Sequence, residues 1–170
     1  LGISITTFVG QNYGAGKITR VKRGVNVCLG VTAIITLILC TVLYLFGGYV
    51  YLLFTTDADV IAKGMEILYF LVPTFILYIC IEIFSGALRG VGDCWIPMIM
   101  TALGVCTLRV VWIIIAVPLR PSIITVIFSY PLTWGITTVL FIIYYYGFST
   151  LKKFNVPLPR LRRKKRRRLE

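Results

Sequence analysis

Two ionisable side chains, Glu82 and Arg109, each stand alone in long stretches of otherwise uncharged, mostly apolar sequence. An ionisable group inside a membrane span costs about 2.5–3.5 kcal/mol on insertion scales, so its presence there points to function by default. A carboxyl such as Glu82 can hold a proton or a cation in turn, the chemistry of exchange across a membrane. Arg109 is a permanent cation, suited to bracing helices or to lining a site. Helical rise puts Glu82, seven residues before Arg89, about 10 Å into the membrane from its nearer end and Arg109, twelve past Pro97, about 18 Å in. Their depths differ by about 8 Å, which tells against a firm salt bridge between them.

Other chemistries are closed or weak. The chain has no His, which excludes histidine catalysis and histidine metal sites, and the predicted metal set is none. Cys28, Cys40, Cys80, Cys94 and Cys106 lie far apart without a CxxC pair, and four of them sit in apolar runs where Cys acts as a small hydrophobe. The GAGK at Gly14 to Lys17 resembles a phosphate loop only superficially. Ile18 follows the lysine, Gln11 stands where the first glycine belongs, and no strand precedes it. No catalytic residue is predicted.

The elements that must position these groups follow from composition and charge spacing. In 170 residues, 58% are hydrophobic, and the mean hydropathy is +0.90, more apolar than one soluble core of this size can hide. Arg23 and Asp57 bound an uncharged stretch longer than the ~20 residues a helix needs to cross a bilayer. Runs such as VTAIITLILCTVLYLF are apolar on every face, which excludes barrel strands. The expected fold class is all-α and polytopic: a membrane region over 1–151, with a partial span at 1–13 and complete spans at 24–54, 67–88, 97–118 and 122–147, then a polybasic tail at 152–170. Pro73 and Pro131 should kink their spans. Pro97 suits a first turn, Pro118 and Pro121 bracket a short hairpin at Leu119 and Arg120, and Asp57 suits a helix cap. Gly14 and Gly16 should allow positive φ and close helix approach in a tight turn kept in place by basic residues, and the small residues around Gly86 to Gly92 should let their helices pack closely in the same way.

Net charge is +12, from 18 Lys and Arg against 6 Asp and Glu. One set of alternate connections carries Lys17, Arg20, Lys22, Arg23, Arg89 and the tail from Lys152 to Arg168; the other carries only Lys63 and Arg120. The positive-inside rule therefore places Gly14 to Arg23, Arg89 to Asp93 and the C-terminus in the cytoplasm. The tail RLRRKKRRRLE has no stacking aromatics or folded reading module, so its expected partner is anionic membrane lipid and not nucleic acid. Leu169 and Glu170 read as a cloning remnant, and Leu1, in apolar sequence without an initiator Met, reads as the interior of a longer chain. Among the aromatics, Tyr69, Tyr78 and Phe84 are candidates to line a cavity and meet an organic cation with a ring face.

Four segments together resemble the multidrug and toxic compound extrusion (MATE) transporters: GQNYGAGK at Gly10 to Lys17, FTTDADVI at Phe54 to Ile61, GALRGVGDCWIPM at Gly86 to Met98, and YPLTW at Tyr130 to Trp134. The first and third supply two turns of shared layout, marked by Gly10, Gln11, Gly14 and Gly16 and by Arg89, Gly90, Gly92 and Asp93. The resemblance implies a twelve-helix, two-lobed transporter of which this chain is the end of the eighth helix and the ninth to twelfth. It further implies a secondary antiporter, not an enzyme, in the plasma (inner) membrane. Such a protein exports small organic, often cationic compounds against H⁺ or Na⁺ by alternating access, with no cofactor beyond the coupling ion, and needs the missing N-terminal lobe as partner. Glu82 lies in the helix that carries an acidic residue of this role in several branches. Two other readings are a non-transporting membrane scaffold with a lipid-binding tail and a lipid-linked sugar flippase of the same superfamily.

Overall fold

A computed structural model describes residues 2–147. All regular structure among them is helical, and four helices are long and apolar enough to span a membrane. We label the helices α1 (Gly2–Gly14), α2 (Ile18–Leu52), α3 (Ala58–Gly90), α4 (Trp95–Leu119) and α5 (Ile123–Gly147). The protein is a polytopic all-α membrane protein, with four complete spans and a shorter fifth helix among the described residues. Odd-numbered helices run one way and even-numbered helices return. One end, here called the turn end, carries residues 15–17 and 91–94 and the close of α5; the other carries the loops at 53–57 and 120–122.

Two helices, α2 and α3, outrun the uncharged stretches that mark them. α2 starts at Ile18, so Arg20, Lys22 and Arg23 lie on its first turns and not in the connecting loop. α3 starts at Ala58, capped by the Asp57 carboxylate, which accepts from the amides of Asp59 at 3.0 Å and Val60 at 3.5 Å. At 1.5 Å per residue α2 is about 50 Å long against ~30 Å of hydrocarbon, so its basic first turns reach the headgroup layer. The exposed Ile34, Leu37, Leu45 and Phe46 face its apolar surroundings.

Three irregularities interrupt the spans. At Pro73, α3 tightens into a 3-10 turn over Val72–Thr74, and the carbonyls there are taken up by side chains: Thr74 donates to Leu71 at 2.6 Å and Cys40 of α2 to Val72 at 3.5 Å. This is how a proline is tolerated where water is absent. α5 breaks at Phe128, between Ile123–Ile127 and Ser129–Gly147, just before Pro131. Trp112 of α4 donates to the freed Thr125 carbonyl at 3.0 Å. The third irregularity has no proline: Ala102–Thr107 of α4 is π-helical.

α3 is the hub, packed on α1, α2 and α5. The core at its faces includes Ile79, Ile83, Phe84 and Leu88 of α3 with Val9, Val25, Trp134 and Phe141 of its neighbours. Close approach here depends on small and hydroxylated residues, as expected where lipid removes the hydrophobic drive between helices. Thr138 of α5 donates to the Leu77 carbonyl of α3 at 2.8 Å, and Gly104 leaves the space that Thr137 fills.

Both turn-end connections are the same structure built twice. The amide of Lys17 bonds the Asn12 carbonyl and that of Gly16 the Tyr13 carbonyl; Asp93 bonds Leu88 and Gly92 bonds Arg89 in the same way. Each is a Schellman ending with a left-handed glycine, Gly16 at φ 72° and Gly92 at φ 88°. Gly14, expected to share that conformation, is instead the last helical residue of α1. Its amide belongs to the helix ladder, and the turn needs only one left-handed position. We therefore expect Gly92→Ala to lower the unfolding free energy in detergent by about 1–2 kcal/mol, read as a drop in melting temperature, while Gly14→Ala leaves it unchanged or raised.

Candidate functional site

A groove of ≈ 650 Å³ opens between α3 and α4 toward the turn end. Tyr78, Glu82, Ser85 and Arg89, spaced three or four apart on one face of α3, form one wall; Pro97, Thr101 and Cys106 of α4 contribute to the other. The volume lies in the ~300–1,000 Å³ range of small-molecule sites. Its lining is mainly apolar, with Glu82 as its only carboxylate.

Glu82 is half-buried. Its carboxylate rests against Gly2 of α1, where any Cβ would collide with it. The same interface continues toward the turn end. Gly86 meets Gly2 and Thr6, with Thr6 donating to the Gly86 carbonyl at 2.9 Å, and Gly90 meets Thr6 and Val9. Gly10 in turn abuts the Gly90 carbonyl. Small residues every fourth position on both helices, Gly2, Thr6 and Gly10 against Gly86 and Gly90, let α1 and α3 touch along their backbones. The expected motif glycines Gly10 and Gly90 are therefore contact surfaces as well as parts of a turn.

The remaining predicted residues separate into groups. Tyr78 lies one helical turn from Glu82, 42% exposed, with its ring 5.4 Å from Trp134. Arg89 is exposed at the groove mouth, its Nε donating to the Ser85 carbonyl at 3.4 Å. Asp93 is tied down: the Tyr144 hydroxyl of α5 donates to it at 2.6 Å, clamping the turn after α3 to the end of α5. Gln11 is exposed beside the first turn.

Phe84 and Tyr69 do not line the groove. Phe84 is core, 3% exposed, with its ring 4.8 Å from Tyr145. Two residues on from Glu82, it falls on another face of α3. Tyr69 pairs with Tyr44 of α2 at 4.5 Å, nearer the opposite end. Arg109 braces helices: its guanidinium carbon stands 3.9 Å from the centre of the Tyr130 ring, a cation–π contact across α4 and α5. It makes no ion pair with Glu82; a separate, exposed pair joins Lys63 to Glu66 at 3.4 Å. All five cysteines are free, and Cys94 and Cys106, both exposed, border the groove.

Charge isolation identifies Glu82 from sequence, but Gly2, its contact 80 positions away, needs the fold. The signal for that contact was the four-residue spacing of Gly2, Thr6, Gly10 and Gly14.

Comparison with known proteins places these features. The MatE family model matches residues 1–115, which include both twin turns, the glycine interface and Glu82. The chain belongs to the MatE family. Among relatives, this MatE chain is 25% identical over 155 residues to the probable multidrug resistance protein YoeA of Bacillus subtilis (strain 168), covering 90% of the chain and 33% of YoeA. It is 29% identical over 104 residues to multidrug and toxin extrusion protein 1 of Oryctolagus cuniculus, covering 61% of the chain and 18% of that protein. The MatE chain thus spans about a third of one relative and under a fifth of the other.

Proposed function

We propose that this chain is part of a secondary transporter that moves small organic, often cationic compounds out of the cell in exchange for H⁺ or Na⁺, with the α3–α4 groove on the solute path. The observation that carries this reading is Glu82: a single carboxylate in an apolar groove within a membrane span, with Tyr78 lining the same wall one turn away. A carboxylate and an aromatic ring together suit an organic cation. Family membership and the multidrug names of the two relatives support the same reading. Solute binding and ion binding at one carboxylate exclude each other, which gives exchange with the solute chemically unchanged; where the ion is H⁺, the bond made and broken is the O–H of the Glu82 carboxyl, and no cofactor beyond the coupling ion is invoked. Alternating access then needs the helices of a second lobe.

The basic turn end belongs in the cytoplasm of a plasma (inner) membrane on this reading, because Lys17, Arg20, Lys22, Arg23 and Arg89 gather there. The polybasic tail at 152–170, with Leu169 and Glu170, lies outside the described residues; its proposed role is attraction to anionic lipid of the same leaflet. The test is reconstitution of the whole protein in vesicles under an imposed proton or Na⁺ gradient. Accumulation of a fluorescent organic cation only with the gradient is the expected result. Accumulation that ignores both gradients overturns the antiport, and none under any gradient leaves the scaffold reading in its place.

A further inference from the structure

A second groove, of ≈ 540 Å³, lies between α1 and α2. Its walls are apolar, from Ile5 and Phe8 on α1 and Val27 and Val31 on α2, while Arg20 and Arg23 stand at its turn-end mouth. Gly24 makes it possible: the Phe8 ring lies where a Cβ on that residue would sit. Val27 and Val31 remain 57% and 45% exposed.

The dimensions match half a bilayer. From Arg20 to Val31, α2 rises about 16 Å at 1.5 Å per residue, one leaflet of a ~30 Å hydrocarbon core. α2 itself continues to Leu52, but the groove does not. We propose that this groove binds an anionic phospholipid of the leaflet at the turn end, with its phosphate on Arg20 and Arg23 and one acyl chain along Phe8, Val27 and Val31. Guanidinium groups three apart on one helix face offer several donors to a phosphate. Two cations side by side prefer a headgroup with net negative charge over one that carries its own ammonium. A protein helix seated in the same place would bury both guanidinium groups, at a steep desolvation cost unless it brought carboxylates of its own. The site needs only that the chain spans a bilayer, and so stands apart from the transport reading.

The test uses the whole protein in lipid nanodiscs holding a trace of phosphatidylglycerol with a photoreactive diazirine on one acyl chain, followed by peptide mapping. Cross-links are expected within residues 4–8 and 24–31, about tenfold or more above those from the matching phosphatidylcholine probe. Excess phosphatidylglycerol should suppress them, and inorganic phosphate should not. Arg20→Gln with Arg23→Gln should erase the preference between probes. Gly24→Leu, which keeps both cations and the charge that orients the chain, should fill the groove and remove the cross-links. Equal labelling by the two probes, a preference that survives the double substitution, labelling indifferent to Gly24→Leu, suppression by phosphate alone, or no labelling of these residues each overturns the proposal.

Discussion

Glu82→Gln should reduce gradient-driven export of an organic cation by roughly ten- to a hundredfold, the loss expected when a bound charge surrenders its counter-charge in a partly buried site. The substitution is close to isosteric. The amide still fits against Gly2 and beside Gly86, so the α1–α3 interface and the amount of protein in the membrane should not change. What disappears is the negative charge that, on the proposed function, holds solute and coupling ion in turn. Vesicles loaded with a fluorescent cation measure the effect, with residual fluxes compared across imposed pH and Na⁺ differences. Export that stays fast and still follows the gradient would remove Glu82 from the mechanism, and a scaffold would show no change in any readout. Tyr78→Leu offers a graded companion, because it removes the ring face and retains the carboxylate.

Gly86→Leu has the largest expected effect on folding. A Cβ at this position already stands 2.7 Å from Ile5 Cγ2 and 2.8 Å from the Gly2 carbonyl oxygen. Backbone cannot retract as a flexible side chain can, so the added atoms must push α1 away from α3. That movement lengthens the 2.9 Å bond from Thr6 to the Gly86 carbonyl and uncovers Val9 and Ile5. Overpacking of this kind costs about 1–3 kcal/mol in cores that can relax, and here the Gly2 carbonyl among the nearest atoms is main chain. Thermal inactivation followed by size-exclusion in detergent should shift well below that of the parent. Gly48→Leu is the matched control: it lies on the same α2 surface that faces apolar surroundings, with nothing within 4 Å of its added carbon. Equal behaviour of the two variants would mean that α1 and α3 do not rely on this contact.

The spans were legible because a charge in hydrocarbon is expensive, so an uncharged run records where lipid is. It does not record where a helix stops. Arg20, Lys22 and Arg23 are helical although charged, since nothing stops the backbone from continuing into the headgroup layer, and α2 therefore begins before the uncharged stretch does. Proline announces the 3-10 turn at Val72–Thr74, but ALGVCT carries no comparable marker of its π-helical turn. Glu82 stood out as an isolated charge, whereas Phe84 and Tyr69 did not separate from Tyr78 by type, because an aromatic residue in a span reveals nothing of the face it occupies until the helix has neighbours. The glycines were read as turn formers that also let helices approach closely: Gly16 and Gly92 make the turns, and Gly86 and Gly90 serve the contact with α1, whose partner only the fold reveals.

The wide turn in α4 settles the direction of Arg109. The amide of Leu108 reaches back five residues to the Leu103 carbonyl, so one residue more than usual is spent on that loop of the coil. Each residue advances an ordinary helix by about 100° around its axis. Wound as an ordinary helix, the same residues would carry everything downstream round by that angle and take the guanidinium off the Tyr130 ring. A single inserted residue thus works as a phase correction, setting one strongly hydrated group to face inward while the apolar surface before and after it keeps its own bearing.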